Sequence, residues 1–94
     1  MRALVCNEHG SAEHLVIEER ETPEPGPGEI RIDIKAAGLN FPDSLIIEGK
    51  YQVKPPLPFV PGSEAAGVVS AVGEGVKRFA VGDRVISTIA TGAF

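Results

Sequence analysis

The chain has 94 residues, 43% of them hydrophobic and 23% charged, the composition of an ordinary globular domain and enough chain to bury roughly 60–65% of its unfolded surface. Thirteen acids against nine bases give a net charge of −4 with no basic stripe, which argues against nucleic acid as a partner. No apolar run approaches the ~20 residues of a membrane span, so a membrane partner is not expected. The single Cys6 cannot close an internal disulfide, which points to a reducing compartment and the cytoplasm.

Arg2 to Cys6 is a short apolar run that predicts a first strand, followed by a turn cluster over Asn7 to Ser11. Alternation from Leu15 to Arg20 predicts a second strand. It fades into Thr22 to Gly28, where three prolines and two glycines cannot sustain a hydrogen-bonded ladder. Glu29 to Ala36 gives the cleanest period-two pattern in the chain. Ile30, Ile32, Ile34 and Ala36 share one face, while Glu29, Arg31, Asp33 and Lys35 share the other, as in a half-buried antiparallel strand.

Gly38-Leu-Asn40-Phe41-Pro42-Asp43 then switches to helix-start chemistry. Asn40 can cap a helix by accepting from the Asp43 N–H, and Asp43 can reach back in the manner of a capping box. Pro42 falls in the first turn, where its missing N–H costs nothing. Phe41, Leu45 and Glu48 fall on neighbouring turns, and Gly49 is a natural stop. Four prolines between Pro55 and Pro61 make the next segment stiff and extended. Ala65 to Val72 predicts a strand in which Gly67 marks a bend or a close backbone approach. Gly73 to Gly75 is a tight turn, with a 3₁₀ turn expected near Gly75 to Phe79. Gly82-Asp83 turns the chain into a closing strand from Arg84 to Ile89. Short strands between regularly spaced glycines and prolines predict a mainly β, turn-rich domain.

Gly38-x-Asn40-x-x-Asp43, Gly49-x-Tyr51, Pro61-Gly62-x-Glu64-x-x-Gly67, Val72-Gly73 and Gly82-Asp83-Arg84-Val85 occur in this order along almost the whole chain. Together they resemble the N-terminal, GroES-like half of the medium-chain dehydrogenase/reductase superfamily, and within it the zinc-independent NADPH:quinone oxidoreductases. The resemblance implies a GroES-like, partly open antiparallel β-barrel with one short helix. It also implies a catalytic domain over residues 1–94, with a Rossmann domain for NADP(H) following residue 94.

Where zinc-dependent members of this superfamily carry cysteine and histidine ligands, the matching positions here are Asn40 and Ser63. Asparagine and serine are poor zinc donors, so no metal is expected. His9 and His14 match no zinc spacing and read as surface residues.

The resemblance further implies that Asn40 and Tyr51 are catalytic and that Asn40, Asp43 and Tyr51 bind the cofactor. Phe41 and Ser63 would face the substrate cleft, and Glu64 would be a buried structural acid. The substrate would be a quinone or an α,β-unsaturated carbonyl (an enone), and the full-length protein a homodimer. The residues alone leave blander readings open: Asn40 as a cap, Asp43 as a first-turn helix residue, and Tyr51 as packing. The competing functions are a stand-alone GroES-like interaction module, or a relative recruited to a structural or RNA-binding role.

Overall fold

The computed structural model describes residues 1–52 and 54–94. Strand β1 (Arg2–Val5) pairs antiparallel with β2 (Val16–Glu19), and a 3₁₀ turn (Ala12–His14) lies between them. Strands β3 (Ile30–Gly38), β4 (Glu64–Val72) and β5 (Arg84–Thr88) form a second antiparallel sheet in the order β3-β4-β5. One helix, α1 (Phe41–Ile47), follows β3 directly. The result is mainly β, with two sheets that do not close into a barrel among the described residues.

The expected 3₁₀ turn near Gly75 is corrected. Residues 73–76 form a simple turn, in which the Val76 N–H donates to the Gly73 carbonyl at 3.3 Å and Gly75 takes a positive φ of 83°. The 3₁₀ turn occurs earlier, at Ala12–His14, where the Leu15 N–H closes onto the Ala12 carbonyl.

β3 also departs from strict alternation. Its pairing with β4 shifts register twice, between Arg31 and Ile32 and between Ile34 and Ala36. Ser70 is the extra residue in β4 and Lys35 the extra residue in β3, so the two bulges cancel and the strands leave in the phase they entered. A bulge reverses which face the following residues share, so Ala36 does not continue the face of Ile34. Arg31 is held at the first bulge by Ser70, which accepts from Arg31 Nε at 3.0 Å. The Arg31 guanidinium also reaches Glu24 Oε1 at 3.2 Å, clamping the proline-rich segment to the sheet edge. Gly67 makes the close approach expected of it, because a side chain there would collide with the Asp33 carbonyl.

Cys6, Ile46, Ile47 and Phe59 form the apolar centre, with Leu15 and Tyr51 packed against it. The helix therefore buries the face of Asp43, Ile46 and Ile47, not that of Phe41, Leu45 and Glu48. It ends as its glycine requires. Gly49 takes φ 74°, its N–H donates to Ile46 O at 3.1 Å, and the Lys50 N–H donates to Leu45 O at 2.9 Å. Those two bonds are the Schellman pattern that satisfies the helix's last carbonyls.

Candidate functional site

The start of α1 is the point around which a groove forms. Asn40 has extended dihedrals (φ −127°, ψ 156°) and stands with Asp43 in a capping-box arrangement. Its strong arm is the Asn40 backbone N–H donating to Asp43 Oδ2 at 2.9 Å. The Asp43 N–H lies 3.0 Å from the Asn40 main-chain carbonyl, and the Asn40 side chain makes no cap hydrogen bond. The expected capping box is present: the Asn40 side chain faces the Asp43 N–H, its weaker arm, and the aspartate holds the asparagine backbone. One turn on, Ser44 Oγ donates to the Phe41 carbonyl at 2.9 Å.

Asp43 is only 6% exposed. Its second oxygen, Oδ1, is buried and has no hydrogen-bond partner among the described residues. A buried carboxylate oxygen without a partner costs roughly 1–3 kcal/mol, so stability alone does not account for this aspartate.

Asn40, Asp43 and Ser44 line one end of a groove of about 660 Å³. Its other walls are apolar, from Leu4, Leu39, Ile47 and Phe94 among others. Phe94 is a wall residue that sequence reasoning does not single out. Its ring packs over Gly62, whose φ of 100° and close contact with that ring exclude a side chain. Backbone bonds fix it on two sides: the Phe94 N–H donates to Pro61 O at 2.9 Å, and its carbonyl accepts the Leu4 N–H at 3.2 Å. Nothing local in the sequence marks it.

The other expected site residues lie outside this lining. Tyr51 is half-buried beneath the helix, packed on the apolar centre. Phe41 is 78% exposed beside the groove. Ser63 is half-buried, and its carbonyl accepts the Ile89 N–H at 2.8 Å. Glu64 is exposed rather than buried, and its side chain lies over Gly38 on the neighbouring strand.

The donor set defines what the groove can hold. An amide, a carboxylate and a hydroxyl suit a carboxamide, a carbonyl or a sugar hydroxyl, while the apolar walls suit a flat ring. Among the described residues no lysine or arginine lines it. The described residues contain no group of three or more His, Cys, Asp or Glu side chains placed to hold a metal. Cys6 is 1% exposed, and burial raises its thiol above the ordinary value of 9.0, the nearby Glu8 carboxylate adding to the shift while a hydrogen bond to the Glu8 carbonyl opposes it. It is a packed core residue without thiolate character.

A family model described as the alcohol dehydrogenase GroES-like domain matches residues 26–93. Quinone oxidoreductase-like protein 2 of Rattus norvegicus is 47% identical over 85 residues, which is 90% of this chain and 24% of that protein. Among solved structures, the human synaptic vesicle membrane protein VAT-1 homolog-like protein superposes with a TM-score of 0.96 at 39% identity, covering all of this chain and 30% of that one. The Escherichia coli quinone oxidoreductase complexed with NADPH superposes with a TM-score of 0.92 at 41% identity, over 99% of this chain and 28% of that one. The chain spans 21% to 25% of the length of the curated relatives it matches.

Proposed function

Because the chain belongs to the alcohol dehydrogenase GroES-like domain family, we propose that it is the catalytic domain of an NADP(H)-dependent, zinc-independent oxidoreductase acting on quinones or enones. The observation that carries this reading is the groove at the start of α1, where, among the described residues, Asn40 and the under-bonded Asp43 meet apolar walls without a cation. The cofactor's phosphates would be held by a Rossmann domain following residue 94, and the intact protein would be a cytoplasmic homodimer. Bound in the groove, the nicotinamide supplies the hydride.

The chain's own residues do the rest. The Asn40 amide would orient the carboxamide. Asp43 fixes the Asn40 backbone through Oδ2 and offers Oδ1 to the cofactor. The Tyr51 phenol would donate a hydrogen bond to the substrate carbonyl. Phe41 and Ser63 complete the substrate side. Zinc independence rests on chemistry: neither the Asn40 amide nor the Ser63 hydroxyl replaces a thiolate or an imidazole.

The test is NADPH oxidation with 1,4-benzoquinone and with a simple enone, with and without chelator, on the protein carrying its cofactor domain. Chelator-insensitive turnover is expected. Tyr51→Phe should lower kcat several-fold, and Asn40→Ala should raise the KM for NADPH by about tenfold, the loss of one good hydrogen bond. Unchanged kinetics in both variants would remove these residues from the site. A folded protein inactive with every acceptor would favour a recruited, non-catalytic role, the reading supported by the likeness to the vesicle protein.

A further inference from the structure

We propose that His9 is a positioning residue for Tyr51, holding the turn by which the chain leaves α1. The inference rests on the role given to Tyr51 in the proposed function. The two ends of α1 have different partners. At its start stand Asn40 and Asp43, which line the groove. Its end is wrapped by the segment that follows β1, where the Gly10 N–H donates to the Ile47 carbonyl at 3.0 Å and the His9 ring lies against Gly49.

A side chain at Gly49 would set its first carbon 3.0, 3.1 and 3.2 Å from His9 Nδ1, Cγ and Cε1, so the ring fills the room that the glycine leaves. Gly49 takes φ 74°, and two residues later Tyr51 packs on Cys6, Ile46, Ile47 and Phe59. The wrapping segment is itself held. Cys6 exchanges two backbone bonds with Phe59, at 2.8 and 3.0 Å, and the His14 ring covers Gly10 closely enough to exclude a side chain there. Backbone bonds thus fix the last turn of the helix, and the His9 ring braces the glycine at which the chain leaves it. A glycine is the most freely moving link in a chain, and misplacing a reacting group by about 1 Å can cost on the order of a hundredfold in rate. A brace at Gly49 therefore acts on the phenol without touching the cofactor's end of the helix.

The test uses the protein carrying its cofactor domain, with NADPH and 1,4-benzoquinone. His9→Ala should lower kcat several-fold, by no more than Tyr51→Phe does, and leave the KM for NADPH unchanged. His9→Phe keeps a ring against Gly49 without a titratable proton and should restore the parent kcat. In the Tyr51→Phe background His9→Ala should have no further effect, because the two residues act as one unit. His9 is exposed, so the variants should fold and melt close to the parent. A parent-like kcat in His9→Ala beside a lowered one in Tyr51→Phe overturns the proposal and leaves the proposed function standing. So does a full further loss in the Tyr51→Phe background, or a His9→Phe variant as slow as His9→Ala. If Tyr51→Phe itself keeps the parent kcat, the phenol and its positioning residue both leave the reaction.

Discussion

Asp43 combines two opposing contributions in one side chain. Oδ2 holds the Asn40 N–H at 2.9 Å, a charge-assisted bond contributing ~1.5–3 kcal/mol, while the orphaned Oδ1 costs ~1–3 kcal/mol. The two nearly offset. Asp43→Ala should therefore change the free energy of unfolding in urea by less than about 1 kcal/mol, although the residue is 6% exposed. A loss above ~3 kcal/mol would mean that Oδ1 has a partner in solution. A buried polar side chain that stability does not require is the kind a binding site retains. Cys6 makes the opposite case. Its pKa is raised in the fold by burial, so the folded state keeps a proton that the unfolded chain releases. Its contribution is fully present below pH 9.0, the ordinary value of the thiol, and is lost as pH rises through the higher folded pKa. Stability measured between neutral pH and pH 10 should fall at the alkaline end, and Cys6→Ala should lessen that fall. An unchanged alkaline slope in the variant would assign the fall to other groups.

At the scale of elements, the sheet depends on how closely β3 and β4 approach. Gly67 sits against the Asp33 carbonyl, where a side chain can be accommodated only by moving backbone. Gly67→Val should cost more than ~3 kcal/mol despite valine's preference for strands, the range of severe core overpacking. A melting temperature within a few degrees of the parent would show that the strands separate freely. This close approach is legible in the sequence because a glycine set inside an apolar strand pattern gives up strand propensity for room. The strands and the helix are legible for similar reasons, from alternation and from the Asn-x-Pro-Asp start. The bulges are not. Lys35 and Ser70 carry no local mark, since a bulge is a property of two strands together and neither strand encodes it alone. The inward face of α1 is ambiguous in the sequence because seven residues offer two plausible stripes. Only the packing of Ile46 and Ile47 on Cys6 and Phe59 chooses between them.

For the whole molecule, the candidate site is half legible. Asn40 and Asp43 stand out because cap chemistry and family pattern coincide on them, and they do line one groove. Phe94 and Leu4 could not be chosen from sequence, because nothing local says that the chain returns to close the groove. The absence of cations from the described lining of that groove also limits what this domain contributes. Under the proposed function the groove takes a ring and its polar substituents, and the charged part of the dinucleotide is held elsewhere.

The groove's construction also sets the order in which it can come into being. Leu4, Pro61 and Phe94 come from opposite ends and the middle of the sequence, joined by the Leu4–Phe94 and Phe94–Pro61 backbone bonds. Contacts so distant along the chain form only after the closure entropy of the intervening loops has been overcome. Helix α1, with its local cap and stop, can be present early, while the cavity beside it exists only once residue 94 has docked. As this domain folds, the groove is therefore among its later features, and a ligand that fits it selects copies in which the domain has finished folding.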